Sequence, residues 1–439
     1  MKYVFLALLI LPVLVKSQTI AQKADELLTA YSDQHKFSGN VLIAKDGKII
    51  FQRSYGYADI STKQPNTAAT EFRVGSLTKM FTSTAILQLA EKGKLSLTDP
   101  VNKYVSNFAY GDSVKIINLL SHTSGIKGYT DSPEPTTLKE SIDRFKYQPL
   151  AFVPGSQFEY NNFNYILLSY IAEKTSGVPF PKLIQSSVLS KAGMTHSGLD
   201  TKSRTSATRA HGYTTNPATA EWTQANEGNV ALAAGAGALY STLGDLYKWS
   251  EAISKHSVLP DSLIKLALKP IQNNYGMGWM TTDAFGRKQI GHTGSIPGFI
   301  ANFMKFPDQD ITIILLSNYE DVDGRQISKD LAAVTFGEAY NLPVVKKEVK
   351  LSDDVLNRYV GEYTLPNGFS IAVSNESNKL FALAQGDQQK VELTPESETK
   401  FFLKGPDTSI EFIEEGGIVK YMFVDLQGGQ KLTKVQSSK

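Results

Sequence analysis

Val74-Gly75-Ser76-Leu77-Thr78-Lys79-Met80-Phe81-Thr82-Ser83-Thr84-Ala85-Ile86-Leu87-Gln88-Leu89-Ala90 carries a single charge, at Lys79. Leu77, Met80, Phe81 and Ile86 or Leu87 recur at helical spacing, and Gly93 supplies a C-terminal stop. A helix apolar nearly all round predicts burial. A buried ammonium is costly and tends to lose its proton. A neutral amine one turn from a hydroxyl is the base that a serine nucleophile needs, and the i, i+3 spacing puts Ser76 and Lys79 on one face. The helix N-terminus adds partial positive charge and free N–H groups beside Ser76, suited to an oxyanion. Ser-x-x-Lys also occurs at Ser124, Ser262 and Ser397, but only the Ser76 copy opens a charge-poor helix. The competing reading is a lysine that snorkels to the surface from an ordinary core helix.

Two further segments supply partners. Pro154-Gly155-Ser156-Gln157-Phe158-Glu159-Tyr160-Asn161-Asn162 is a turn leading into a helix that starts near Phe163. It displays Tyr160 and Asn162 on a loop, where site residues commonly sit. A phenol near a lysine can move protons, and an asparagine can hold a substrate carbonyl or the lysine. Gly291-His292-Thr293-Gly294-Ser295 ends a strand pattern, and Gly294 would let a substrate backbone lie along that edge. Read singly, each is equally a packed tyrosine loop or a simple turn.

Outward from these segments, a helical pattern covers 20–35. Strand patterns follow at Gly39–Ala44 and Ile49–Arg53, joined by Lys45-Asp46-Gly47-Lys48. Helical patterns dominate 76–270, where Thr242-Leu243-Gly244-Asp245 reads as a capping box. Strands return at 287–293, 299–305 and 311–317, and 325–340 reads as a helix. This is α+β, with one antiparallel sheet assembled from distant parts of the chain. Val344–Asp354 is polar and reads as a linker. Seven short alternating strands then run from 369 to 435, separated by turns such as Pro366-Asn367-Gly368, which predicts a small all-β barrel or sandwich.

Composition narrows the function classes. Among 439 residues, 45 Lys and Arg balance 43 Asp and Glu, which leaves no nucleic-acid footprint. Cysteine is absent, so disulfides, zinc-thiolate sites and cysteine nucleophiles are excluded together. The six histidines are scattered without H-E-x-x-H, and no G-x-S-x-G occurs. No cofactor or metal is expected; the expected partner is a small-molecule or peptide substrate. Lys2 precedes thirteen uncharged, mostly apolar residues, too few to span a bilayer but enough for a signal peptide cut near Ser17. Its loss removes Lys2 and Lys16 and cancels the formal charge of +2. A periplasmic or secreted product with no membrane span is expected.

Ser76-Leu77-Thr78-Lys79, Tyr160-Asn161-Asn162 and His292-Thr293-Gly294, in that order, resemble the class C β-lactamase and D-alanyl-D-alanine carboxypeptidase group, the penicillin-binding protein-like serine hydrolases. Leu119-Leu120-Ser121-His122-Thr123-Ser124-Gly125, Tyr275-Gly276-Met277-Gly278-Trp279 and Gly298-Phe299 extend the resemblance, which covers roughly 20–340. It implies a β-lactamase/transpeptidase-like sheet flanked by helices over 18–343, with 344–354 as linker. The 355–439 segment resembles the small β domains, barrel or lipocalin-like, appended to some of these hydrolases. It implies Ser76 as nucleophile, Lys79 as base or proton carrier and Tyr160 as general base and acid. Asn162, His292, Thr293 and Gly294 would bind substrate, and the N–H groups of Ser76 and Ser295 would form the oxyanion hole. His292 stands where efficient β-lactamases of this type carry lysine, which favours peptidase-like or esterase-like action over antibiotic breakdown. An imidazole there could meet a substrate carboxylate as imidazolium or as a neutral donor, or could simply hydrogen-bond Tyr160 or a neighbouring strand. His122 reads as a structural turn residue. An acyl-enzyme hydrolase of peptide-like amides is the leading expectation; an esterase or weak β-lactamase, and a penicillin-binding sensor without turnover, are the alternatives.

Overall fold

Strands from both ends of the first 340 residues meet in one antiparallel sheet. The principal elements are α1 (Ile20–Asp33), β1 (Gly39–Lys45), β2 (Lys48–Tyr55), α2 (Thr78–Glu91), α3 (Asn162–Ser176), α4 (Leu243–Ser254), β3 (Met280–Ala284), β4 (Arg287–Ile296), β5 (Phe299–Phe306), β6 (Ile311–Ser317) and α5 (Gly324–Phe336). They come from a computed structural model. It describes residues 18–439 apart from 128–137, 201–204, 217–220, 227, 229, 344–346, 367, 388, 404–407, 426–429 and 436–439. The signal peptide expected over 1–17, the start of the expected linker and Asn367 of the expected turn lie outside the described residues.

The sheet order is β3-β4-β5-β6-β1-β2. β6 is buried at every position, as a strand covered on both faces must be. Its Ile313 and Leu315 pack with Leu27, Leu28, Ile327 and Leu331 of α1 and α5. Its Ile314 and Leu316 face the other way and join Leu77, Phe81 and Trp249 in the core of the helical region. The β1–β2 hairpin turns at Asp46 and Gly47, both at positive φ (51° and 70°), as a two-residue turn with this twist requires. α2 sits under the sheet with twelve of its fourteen residues buried.

Two details differ from expectation. α5 ends at Phe336, because Gly337 at φ 75° returns its N–H to the Ala333 carbonyl and stops the helix before 340. β3 was not legible: Met-Thr-Thr-Asp-Ala is partly exposed throughout, so an edge strand showed no apolar alternation.

The tail is a closed barrel of eight strands in chain order: β7 (Gly361–Thr364), β8 (Ser370–Glu376), β9 (Lys379–Ala384), β10 (Val391–Pro395), β11 (Lys400–Phe402), β12 (Ser409–Glu415), β13 (Ile418–Asp425) and β14 (Gln430–Lys434). The strand missing from the sequence reading, β7, pairs with β14 and removes the two edges an open sheet would expose. Tyr359, Tyr363, Phe401 and Phe412 fill the interior. The phenols are satisfied there: Tyr363 donates to the Tyr359 carbonyl and Tyr359 to the Glu398 carbonyl, each at 2.7 Å. Within the stretch expected as linker, the Val349 N–H donates to Pro395 of β10, and Leu351 packs on the barrel core.

Candidate active site

Gly75 adopts φ 50° and opens a tight turn, Gly75–Leu77, that feeds α2. From Thr70 through Leu89 every residue is buried except Ser76, which is partly accessible. The turn is pressed onto β4. A Cβ on Gly75 would lie 2.9 Å from the Ser295 amide nitrogen, and one on Gly294 would lie 2.1 Å from the Val74 carbonyl oxygen. Gly294 therefore has a reason the sequence did not show. It lets β4 close onto the Gly75–Leu77 turn, so that the Ser295 amide lies against Gly75.

Lys79 is fully buried. Its Nζ is 2.9 Å from Ser76 Oγ, 2.8 Å from Asn162 Oδ1 and 2.8 Å from the Ala236 carbonyl oxygen. Burial holds the amine well below the usual lysine range, with no carboxylate opposing it. Asn162 Oδ1 and the Ala236 oxygen can only accept, so Nζ donates to both, and its third contact is Ser76 Oγ.

Tyr160 stands on the loop before α3, its ring centroid 4.8 Å from Lys79 Nζ. One side of the ring is exposed, but the groups crowded round its hydroxyl push the phenol up, against a weaker opposing effect of its hydrogen bond with Ser76. The phenol is protonated at rest. His122 holds this loop in place. It sits at φ 57°, its ring lies 4.3 Å from that of Tyr160, and its Nδ1 accepts the Asn161 N–H at 3.1 Å. Asn161 then caps α3 by accepting from Phe163 N–H at 2.9 Å. Burial, first, and the nearby Lys79, second, keep His122 well below the usual histidine range.

His292 is only 3% exposed. Its Nδ1 lies 2.6 Å from the Thr293 carbonyl oxygen and donates to it, while Nε2 accepts from the Tyr275 hydroxyl at 3.0 Å. Burial, then Lys79, pushes it down to about 3, so the ring is neutral. Both nitrogens are engaged within the protein, and the geometry gives no support to an imidazolium that meets a substrate carboxylate. The hydrogen-bonded alternative fits, with Tyr275 in the place expected for Tyr160. Thr293 points to the opposite face of β4, where its register partner is Asn302.

The sequence reading noted Tyr275-Gly276-Met277-Gly278-Trp279 without a role. A Cβ on Gly278 would lie 2.7 Å from the Lys79 carbonyl oxygen, so this segment packs directly on α2 beneath the lysine. Among the described residues no cluster of His, Cys, Asp and Glu could hold a metal ion, and no helix is long and apolar enough to cross a membrane.

A family model described as Beta-lactamase matches residues 22–335, and one described as a domain of unknown function (DUF3471) matches 345–437. Penicillin-binding protein 4* of Bacillus subtilis (strain 168) is 30% identical over 418 residues, 88% of this chain and 92% of that protein. The octameric penicillin-binding protein homologue from Pyrococcus abyssi shares the fold with a TM-score of 0.68, at 23% identity, over 94% of this chain and 99% of that one. D-amino acid amidase from Ochrobactrum anthropi SV3, complexed with L-phenylalanine amide, does so with a TM-score of 0.65, at 20% identity, over 71% and 98%. The chain thus belongs to the beta-lactamase family, as a penicillin-binding protein-like serine hydrolase that carries an eight-stranded barrel behind its catalytic fold.

Proposed function

We propose that the protein is an exported hydrolase that cleaves peptide-like amides, of the D-amino-acid or carboxypeptidase type, through an acyl-enzyme on Ser76. The observation that carries this reading is the buried Lys79 amine, held by the Asn162 Oδ1 and Ala236 carbonyl acceptors with Ser76 Oγ, the accessible hydroxyl on a buried helix start, 2.9 Å away. Lys79 takes the Ser76 proton as Oγ attacks the substrate carbonyl carbon. The carbonyl electrons move onto oxygen, where the amides of Ser76 and Ser295 receive them. Tyr160, whose ring lies 4.8 Å from Lys79 Nζ, gives its proton to the leaving nitrogen and is reprotonated from the Lys79 ammonium; the C–N bond breaks and the acyl-enzyme remains. Water then attacks the ester along the reverse proton path and restores Ser76. Asn162, which holds Lys79 through Oδ1, keeps its amide N–H groups for the substrate, and the β4 edge at Thr293 and Gly294 receives the substrate backbone.

The kinship with a penicillin-binding protein and the fold shared with a D-amino acid amidase support an amide substrate. Export rests on the apolar run after Lys2. Turnover of a D-Ala-D-Ala peptide, a D-amino acid amide, a short-chain ester and a β-lactam by the full chain tests the reading. Multiple turnovers on either of the first two support it. Turnover confined to the ester or the β-lactam, or one acylation with no release, would replace it by an esterase, a β-lactamase or a sensor.

A further inference from the structure

On the proposed path Lys79 takes the Ser76 proton and becomes an ammonium in a fully buried place, where an uncompensated charge is costly. Among the described residues Lys79 makes no ion pair, and no carboxylate opposes its burial. The groups that face it come from several elements, and all are uncharged. Asn162 and Tyr165 come from α3, Tyr160 from the loop before it, the Ala236 carbonyl from its own turn and His292 from β4, with His122 behind Tyr160 and Tyr275 behind His292. Burial keeps both imidazoles below the usual histidine range and lifts all three phenols above the usual tyrosine range. Neither an imidazolium nor a phenolate is present near neutrality.

What does face the amine is two aromatic rings. Nζ stands over the Tyr160 ring at 4.8 Å from its centroid and over the Tyr165 ring at 5.6 Å. Both lie inside the distance of about 6 Å over which a ring face attracts a cation, and the attraction is strongest where water is absent. The phenol of Tyr160 has its own part on the proposed path. Tyr165 has none, because its hydroxyl is committed to the Leu120 carbonyl oxygen at 2.6 Å. Tyr165 is fully buried and lies one turn along α3 from Asn162, so the same helix holds Lys79 with one side chain and covers it with the next. Its ring is fixed from two sides. The His122 ring packs at 5.2 Å, and a Cβ on Gly278 would lie 2.7 Å from the Lys79 carbonyl oxygen and 3.1 Å from the Tyr165 hydroxyl. A carboxylate in this position would keep Lys79 charged before reaction. A ring face is weaker: it leaves the resting amine free and attracts the nitrogen only once it carries the proton, which is stabilisation in the transition state and not in the ground state.

We infer that Tyr165 acts through Lys79, its ring face taking the charge of the ammonium formed as Ser76 is acylated, in place of a carboxylate counter-ion. This inference rests on the acyl-enzyme reading of Ser76. The test measures the second-order rate at which a fluorophosphonate labels Ser76 in the full chain, from about pH 4 to about pH 9, in wild type, Tyr165→Phe, Tyr165→Leu and Tyr165→Met. The rate should rise with pH as Lys79 gives up its proton. Without the ring the ammonium is less stable and loses its proton at lower pH. The acid limb should therefore move down by about 0.5–1.5 pH units in Tyr165→Leu and Tyr165→Met, and the plateau should fall by about 3–10-fold. Tyr165→Phe keeps the ring and loses only the bond to Leu120, so its limb should stay within about 0.3 units of wild type. A purely structural role predicts the opposite sign, since loosened packing admits water to Nζ and moves the limb up. A limb that stays in place or rises in the two ringless variants overturns the inference, as does an equal shift in Tyr165→Phe. Loss of the fold in both ringless variants, with Tyr165→Phe folded and unshifted, would assign the ring to the core alone. Failure of the probe to label Ser76 in wild type overturns the acyl-enzyme reading and this inference with it.

Discussion

Among the described residues two buried lysines each touch a serine, in different surroundings. Lys79 Nζ meets Ser76 at 2.9 Å; Lys305 Nζ, on β5, meets Ser250 of α4 at 3.0 Å. Burial lowers both amines. The difference lies in the surroundings. Lys305 has Asp310 at 3.8 Å, and Asp310 and Glu251 pull its affinity for the proton back up; no carboxylate opposes burial at Lys79. Ser250 is sealed in the core and shares its hydroxyl with Thr312 at 2.7 Å, whereas Ser76 reaches solvent. A serine beside a desolvated lysine is therefore not a catalytic pair by itself. On the reading proposed above, it becomes one where the serine is open and the lysine has no counter-ion.

The largest effect that could break this contrast is at the serines. Ser76→Ala should lower turnover by about 10³-fold or more with an unchanged circular dichroism spectrum. Ser250→Ala should keep turnover within about 3-fold and lose about 1–3 kcal/mol in urea unfolding, because Lys305 forfeits a buried partner. Comparable losses of activity in both would dissolve the distinction.

The lysines come next. Lys79→Met should also abolish turnover, while Lys305→Met should not. Their pH signatures differ in size but share a sign. A lysine held below its unfolded pKa binds the proton less readily when folded, so the penalty is absent above about pH 10.5, grows as pH falls through that window, and levels off below the folded pKa. Wild type should therefore gain stability relative to Lys79→Met between about pH 7 and pH 10, and gain less relative to Lys305→Met. Urea titrations at the two pH values check both. A gain that is absent, or larger for Lys305→Met, would mean that Lys79 keeps its proton in the fold.

A smaller effect concerns the turn. Gly75→Ala places a methyl against the Ser295 amide and an alanine at φ 50°, so turnover should fall by about 10-fold or more and stability by about 1–2 kcal/mol. Steady-state kinetics with unchanged kcat and KM would show that the amide pair is not set by this contact. The smallest expected effect is on pH dependence. His292, pushed down to about 3, does not titrate near neutrality, so the acid limb of kcat/KM belongs to Lys79 and should stay at the same pH in His292→Gln. A limb that moves with that substitution would assign it to the imidazole.

Much of this site was readable from the sequence because its signals are local. Lys79 is the sole charge in a long apolar run, Tyr160 lies just ahead of a helix start and Asn162 opens that helix. The β1–β2 turn and β6 were legible for the same reason, since a Asp-Gly pair and an unbroken apolar run need no partner to be recognised. What escaped depends on contacts between distant segments. Gly294 reads as an edge glycine until Val74 is placed 2.1 Å from its missing Cβ. His292 reads equally as a carboxylate binder or a hydrogen-bonded scaffold residue until Tyr275 and the Thr293 carbonyl take both its nitrogens. Lys305 and Ser250 are 55 residues apart, so no spacing rule joins them.

The most direct test of the account is the site of covalent capture. The full chain is incubated with a serine-reactive fluorophosphonate and with a penicillin, digested, and the modified peptide sequenced by mass spectrometry. A single adduct on Ser76, absent from Ser250 and lost in Ser76→Ala, is the predicted result. An adduct on another serine, or one that persists in Ser76→Ala, would contradict it.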